Sequence, residues 1–210
     1  METKLTEQES LNIINEMIIQ ARDNVQKGSA NNMIYNGYAV ALVAILNFIL
    51  IHTLPNSYVN WSSCIWILMI PSAIIDRYIK SKKRHAATFK THIDGIIGTL
   101  WNGFSISVVI LLSILFSLSL VYDSWRFFAA TTPIIMILVA IVEFGMAKAY
   151  RFKPFFWGAI GFWVGAILCC LVDYLFLKRG DIQFLILAAC MILGFVIPGY
   201  KLNNLAKENV

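Results

Sequence analysis

Two carboxylic residues stand inside long apolar runs of this sequence, Glu143 and Asp173. A charged side chain is costly to bury in an apolar surrounding, so an ionisable residue in such a run is a candidate for proton transfer, cation binding or gating. These two residues are therefore the first places at which the sequence offers chemistry.

Glu143 shares a helix face with small or flexible residues, which are Thr132, Met136, Ala140 and Ala147. Such a stripe is typical of a contact between helices, and it predicts that Glu143 points into a bundle. Two interpretations stay open. Glu143 is either a proton or cation carrier or gate, or a carboxylate paired with a basic residue at the membrane rim, five residues before Lys148.

Asp173 lies at the edge of a glycine-rich helix face, formed by Gly158, Gly161, Gly165 and Cys169. Spacing of the Gly-x-x-x-Gly type favours close helix packing and does not by itself indicate function. Asp173 is either a second functional carboxyl group or an interface residue satisfied by Lys178, Arg179 or Tyr174.

Catalysis is hard to build from these residues. Glu143 and Asp173 are expected at opposite ends of their helices and make poor partners for a two-carboxylate site. The sequence has no nucleophile-elbow, zinc-helix or phosphate-loop motif, and its four cysteines lack metal-ligand spacing with a histidine. We therefore expect no metal, no cofactor and, on balance, no enzyme.

A repeated four-residue pattern opens three of the apolar runs, as YNGY, WNGF and FWGA, beginning at Tyr35, Trp101 and Phe156. Aromatic residues suit a membrane interface, glycine permits close approach of a second backbone, and asparagine can bond a neighbouring helix. The pattern predicts a packing joint, with Asn36 and Asn102 as its candidate functional residues.

The elements that carry these residues follow from composition. The 210 residues are 59% hydrophobic and 14% charged, with a mean hydropathy of +0.70, which is typical of a polytopic membrane protein. Six runs are long enough for membrane helices. They are residues 33–54, 58–75, 101–122, 127–147, 155–177 and 182–198. The predicted fold is an all-α bundle of six transmembrane helices in a lipid bilayer.

The basic residues predict the orientation. If both termini are cytoplasmic, fourteen of the 17 Lys and Arg residues lie inside, and only Arg126, Lys178 and Arg179 lie outside. This asymmetry follows the positive-inside rule. The net charge of +5 is then mainly a topology signal, and we expect no nucleic-acid partner.

An amphipathic helix precedes the first span. Thr6 and Glu9 fit a capping box, Gly28 offers a left-handed end, and apolar residues between them recur at helical spacing. Residues 7–27 hold four acidic and two basic side chains, so anionic lipid would repel the helix. Its stripe is expected to pack on the chain's own cytoplasmic face or on a partner, with Leu11, Ile14 and Ile18 as the candidate contacts.

These elements give a domain division. Residues 1–32 form the cytoplasmic helix and linker, residues 33–200 the bundle, and residues 201–210 a cytoplasmic tail. Because the repeated pattern opens every second span, the bundle is also consistent with three related hairpins.

The segments LTEQESLNIINEMI and THIDGIIGTLWNGF, with the Asn-Gly before the first span, resemble a group of small multipass inner-membrane proteins of Bacteroidota. The resemblance implies a bacterial inner membrane, but no activity and no catalytic residues. Three classes of function stay open: a non-catalytic regulatory, sensory or accessory component, a small-solute transporter or its membrane substrate-binding subunit, and an intramembrane enzyme. The sequence favours the first. The transporter would need Asn102, Thr131, Thr132 and Glu143 to meet at one cavity.

Overall fold

A computed structural model describes the backbone of residues 7–55, 59–69, 71, 74–75, 92–175 and 181–208. It describes the side chains of residues 30–55, 61–69, 71, 74–75, 95–124, 127–172 and 181–204. Within these ranges the chain is helical and has no strand. The α-helices are α1 (Glu7–Thr53), α2 (His92–Val121), α3 (Thr131–Tyr150), α4 (Lys153–Leu175), α5 (Ile182–Met191) and α6 (Ile197–Glu208). Two 3-10 helices, Val59–Leu68 and Trp125–Ala130, and a π-helical segment, Ile192–Val196, complete the described part.

Five described helices are long and apolar enough to cross a membrane. They are Ala30–Thr53, Gly95–Val121, Phe127–Tyr150, Lys153–Val172 and Ile182–Asn204. The remaining predicted span, over residues 58–75, is described only in part, and its first portion is the 3-10 helix Val59–Leu68. The chain is thus a helical, membrane-spanning protein, and the count of six spans stays a prediction.

The first helix is continuous through Gly28, where we expected it to end. No described glycine has a positive φ, so the left-handed exit predicted at Gly28 is wrong. A glycine inside a helix costs only about 1 kcal/mol relative to alanine, less than the cost of ending and restarting a helix whose backbone groups need partners. α1 has 47 residues, and its first 23 extend about 35 Å beyond Ala30 at 1.5 Å per residue.

α1 runs antiparallel to the last helical stretch of the chain, which is α5, the π segment and α6 in unbroken succession. His52 and Asp181 meet at one end of this pair, with 3.3 Å between Nε2 and Oδ2. At the other end, the Asn203 amide nitrogen lies 3.4 Å from Oδ1 of Asn31. The first and last spans are therefore paired along their whole length.

The most extensive helix contact joins α3 and α4. Only Arg151 and Phe152 separate them, and Arg151 reverses the chain in a left-handed conformation (φ 52°, ψ 39°). Large buried side chains fill the space between these helices and the last stretch, chiefly Phe155, Phe162, Met136 and Met146. α3 and α4 belong to different hairpins in the predicted three-hairpin division, so the internal repeat is not confirmed.

α2 lies at the edge of the bundle. It packs on α3 and on the 3-10 helix Trp125–Ala130, while Ile106, Val109 and Ile110 are exposed. An apolar helix surface of this kind suits contact with lipid acyl chains.

Candidate functional site

Glu143 is fully buried, with 0% of its surface exposed. The small-residue stripe explains this position, because Thr132, Met136, Ala140 and Ala147 are also buried on the same face of α3. The prediction that Glu143 points into the bundle is confirmed. Glu143 lies seven residues before Tyr150, at the end of α3, about 10 Å along the helix axis.

Two glycines from neighbouring helices make room for the carboxyl group. A Cβ atom placed on Gly158 of α4 would lie 2.7 Å from Oε2 of Glu143 and 3.0 Å from Cα of Gly194. A Cβ placed on Gly194 would lie 3.2 Å from the same Oε2 and would also strike the Phe162 ring. The carboxyl group therefore occupies a space that exists because neither glycine has a side chain.

Neither carboxyl oxygen of Glu143 has a hydrogen-bond partner among the side chains and backbone groups that the structure describes. Lys148, the basic residue expected at the rim, is exposed and lies over the Phe144 ring, with 5.8 Å from Nζ to the centroid. The alternative in which Glu143 pairs with a basic rim residue is thus not seen within the described ranges. The carboxyl group is enclosed by apolar atoms and glycine backbone.

A π-helical turn passes beside the carboxyl group. Ile192–Val196 contains Gly194 and interrupts the α-helical hydrogen bonding between α5 and α6. π segments inside α-helices are rare and occur frequently at functional sites. Here the segment brings the Gly194 backbone to α4, with its carbonyl oxygen 3.1 Å from the Cβ position of Gly158.

The same π segment also contacts α1. A Cβ placed on Gly37 would lie 2.8 Å from Cγ2 of Val196 and 3.0 Å from Cβ of Phe195. The Phe195 ring packs edge-on against Phe162 of α4, with centroids 5.8 Å apart. We name Gly37, Gly158 and the π segment the glycine joint, because it links α1, α4 and the last helical stretch beside Glu143.

The repeated aromatic-glycine pattern therefore has unequal roles. Gly37 of YNGY and Gly158 of FWGA lie in the glycine joint, but a Cβ on Gly103 of WNGF would meet nothing within 4 Å. The prediction of a packing joint is confirmed for two copies, while for the third no described atom approaches the glycine. Gly103 lies on the peripheral helix α2, where no described neighbour reaches it.

The structure does not bring the other candidate residues to Glu143. Asn36 donates to the backbone oxygen of Asn32 in its own helix, at 3.0 Å, and Asn102 is exposed on α2. Asp173 belongs to α4 by its backbone, and its side chain lies outside the described residues. The side chains of Leu11, Ile14 and Ile18 in α1 are likewise outside the description.

Sequence reasoning missed a buried asparagine that bonds another element. Asn47 is fully buried in α1. Both ends of its amide form hydrogen bonds when the oxygen accepts from Nε1 of Trp66 at 2.9 Å and the nitrogen donates to Ser62. This orientation follows from the donors and acceptors around it. A signal was present, because Asn47 continues the helical spacing of the small residues Ala41 and Ala44, which are also buried.

The chemistry available to this site is limited and specific. Within the described residues, no group of three or more His, Cys, Asp or Glu side chains could hold a metal ion. Among the described residues no second carboxyl group lies beside Glu143, and the Cys190 thiol, which is close enough to interact electrostatically with Glu143, is directed to the carbonyl oxygen of Gly161 at 3.6 Å. What remains is a single enclosed carboxyl group at a contact between helices.

Comparison with known proteins adds no assignment to this geometry. The chain matches no protein-family model, and no curated protein and no solved structure matches it at a significant level.

Proposed function

We propose that this chain is a non-catalytic regulatory, sensory or accessory component of a bacterial inner membrane, with both termini in the cytoplasm. In this proposal Glu143 is the buried group whose change of state starts the response. The part of α1 before Ala30 contacts the partner that receives it. The distribution of Lys and Arg supports the orientation. The resemblance to small inner-membrane proteins of Bacteroidota supports the location.

One observation carries the proposal: the enclosed carboxyl group and the projecting helix are connected by the glycine joint. Gly194 lies beside Glu143, and the next two residues, Phe195 and Val196, pack on Gly37 of α1. From Gly37 the helix continues unbroken to Glu7. A change at Glu143 that displaces the π segment therefore acts directly on a helix that extends beyond the membrane span.

The sequence of the projecting part supports a protein partner. Leu11, Ile14 and Ile18 repeat at helical spacing and form one apolar stripe. The excess of acidic over basic side chains in residues 7–27 disfavours anionic lipid as the occupant. A cytoplasmic protein or a second copy of this chain fits such a stripe.

The two alternatives have less support. A transporter site at Asn102, Thr131, Thr132 and Glu143 would need these residues to converge, yet Asn102 is exposed and Thr132 lies about 16 Å from Glu143 along α3. The described centre of the bundle is filled by Met136, Met146 and Phe162. An enzyme has less support because no second carboxyl group among the described residues lies beside Glu143 and the nearby Cys190 thiol is directed to the Gly161 carbonyl oxygen.

The test places a photo-crosslinking amino acid at Met17, on the apolar stripe, in the full chain in its native membrane. We expect a crosslink to a second polypeptide that is lost when Leu11, Ile14 and Ile18 are replaced by serine. The matched control replaces Asn12, Glu16 and Gln20 on the opposite face by serine and should retain the crosslink. Equal yields from both triple variants, at equal membrane levels, would remove the basis of the proposal.

A second arm tests the connection through the glycine joint. Gly37→Ala inserts a methyl group against Val196 and is expected to change the crosslink yield at Met17. Gly103→Ala makes the same chemical change where no described atom lies within 4 Å and should leave the yield unaltered. If the two alanine variants behave alike, the joint does not control α1.

A further inference from the structure

We propose that Glu143 is a reversible proton-binding site, and that α3, α4 and the π segment pack as described when its carboxyl group carries the proton. The inference names the ligand of the group that responds, so it rests on the proposed function. It draws on the enclosure of the carboxyl group, on its lack of partners and on the glycines that line it.

The surroundings of Glu143 suit a neutral carboxyl group. A charged carboxylate enclosed by apolar atoms needs a cation or several hydrogen-bond donors to offset its lost hydration. Gly158 and Gly194 lie against the carboxyl group, with the Phe162 ring beside Gly194, and no described group donates to either carboxyl oxygen. A neutral carboxyl group loses much less hydration free energy on burial. It can therefore be enclosed by the close packing of α3, α4 and the π segment without a cation or several donors.

A metal cation fits the site less well than a proton. Hard cations such as Ca²⁺ and Mg²⁺ require about six or more oxygen ligands at closely defined distances. Glu143 supplies two oxygens and the Gly194 carbonyl a third nearby, with no other carboxyl group, amide or hydroxyl in the described contacts. A proton needs a single oxygen lone pair and no cavity.

The ionisable groups on the neighbouring elements do not change this assignment. α3 itself carries the exposed Lys148, and α4 begins with the exposed Lys153. The described part of α2, residues 95–121, has no ionisable side chain, and the side chain of Arg126, in the 3-10 helix beside α3, is outside the description.

The last helical stretch carries four ionisable groups, which are Asp181 at its far end, the buried Cys190 one turn before Gly194, Tyr200 and the exposed Lys201. None of the described groups forms an ion pair with Glu143.

Loss of the proton would have a defined structural consequence. The carboxylate could gain hydrogen-bond partners only if water or a donor entered between Gly158 and Gly194. These two glycines are in close contact in the structure. Separation of these two glycines moves the π segment, and Phe195 and Val196 of that segment pack on Gly37 of α1. Proton release is therefore linked to the contact between the last helical stretch and α1.

Infrared difference spectroscopy of the full chain in lipid nanodiscs tests the inference. A protonated carboxyl group has a carbonyl band that is separate from the carboxylate bands and shifts in heavy water. We expect this band at neutral pH in the wild type, its loss in Glu143→Gln, and its retention in Asp181→Asn. Glutamine keeps the shape of the neutral acid, so the Gln variant should fold.

The same samples are then titrated to alkaline pH. We expect the band to disappear, with faster hydrogen exchange of residues 192–199 in the wild type than in Glu143→Gln at the same pH. Carboxylate bands for Glu143 at neutral pH would overturn the inference, and their response to added sodium ions would assign the site to a cation instead. A band that persists at every pH overturns reversible binding, and its loss without altered exchange overturns the link to packing.

These outcomes separate the inference from the proposed function. If Glu143 is ionised at neutral pH and the crosslink at Met17 is still found, the proton site is wrong and the regulatory proposal stands. A missing crosslink with a protonated, titrating Glu143 would remove the regulatory proposal and keep the proton site.

Discussion

Nε2 of His52 lies 3.3 Å from Oδ2 of Asp181, which joins the end of the first span to the start of the last. The other ring nitrogen of His52 lies 2.9 Å from the backbone oxygen of Phe48. Both ring nitrogens of His52 therefore face oxygen acceptors. The contact lies at the opposite end of the helix pair from Asn31 and Asn203.

The first prediction concerns the strength of this pair. His52→Ala, Asp181→Asn and the double variant form a cycle in which we expect a coupling free energy of at most about 1 kcal/mol, because exposed ion pairs contribute little. The His52 side chain is 42% exposed and the Asp181 side chain 10%, so the pair is open to its surroundings on the histidine side. Thermal unfolding in one detergent, at a pH where the histidine is charged, measures the coupling. A coupling free energy of several kcal/mol would show that lipid covers the His52–Asp181 pair more than the protein does in this structure.

The second prediction uses two glycines on α4 that are three residues apart. Gly158→Ala should destabilise the fold by about 1–3 kcal/mol, since its methyl group would overlap the carboxyl group of Glu143 and the backbone of Gly194. Gly161→Ala meets nothing within 4 Å and should be neutral or stabilising by up to about 1 kcal/mol, as alanine favours a helix. Unfolding temperatures of the two variants decide the point. Equal temperatures would contradict the close packing at Gly158.

The third prediction makes the same comparison between YNGY and WNGF. Gly37→Ala should lower the unfolding temperature, because its methyl group would meet Val196 and Phe195. Gly103→Ala should not lower it, because its position is open on the peripheral helix. The measurement also tests whether the three copies of the pattern are equivalent. Similar losses at both positions would favour the repeat and would indicate that Gly103 has a packing neighbour.

The fourth prediction concerns Asn47. Asn47→Ala leaves the Trp66 indole N–H and a buried Ser62 hydroxyl without their partner, which should destabilise the protein by about 1–3 kcal/mol. Asn36→Ala is the matched control in the same helix, because the Asn36 side chain bonds only to its own helix among the described contacts. We also expect faster hydrogen exchange in Val59–Leu68 for Asn47→Ala. Unchanged exchange there would mean that other contacts hold the 3-10 helix.

The limits of sequence-based prediction are clearest at the asparagines. Asn36 and Asn102 stood out because they belong to a repeated pattern, yet one bonds within its own helix and the other is exposed. Asn47 belongs to no pattern, yet it is fully buried and bonds a second element. A pattern records which residues are neighbours in sequence, whereas a buried amide is defined by which donors and acceptors lie across from it.

The sequence by itself determined that the chain is built of membrane helices, because about 20 consecutive apolar residues can satisfy their backbone hydrogen bonds in a bilayer only as a helix. It also determined that Glu143 faces inward, since small residues repeat at helical spacing on its side of α3. Only the tertiary structure decided that the first span pairs with the last and that Gly158 and Gly194 enclose the carboxyl group. These contacts join residues far apart in the chain, and their free energy depends on how whole helix surfaces fit together, which no local spacing specifies.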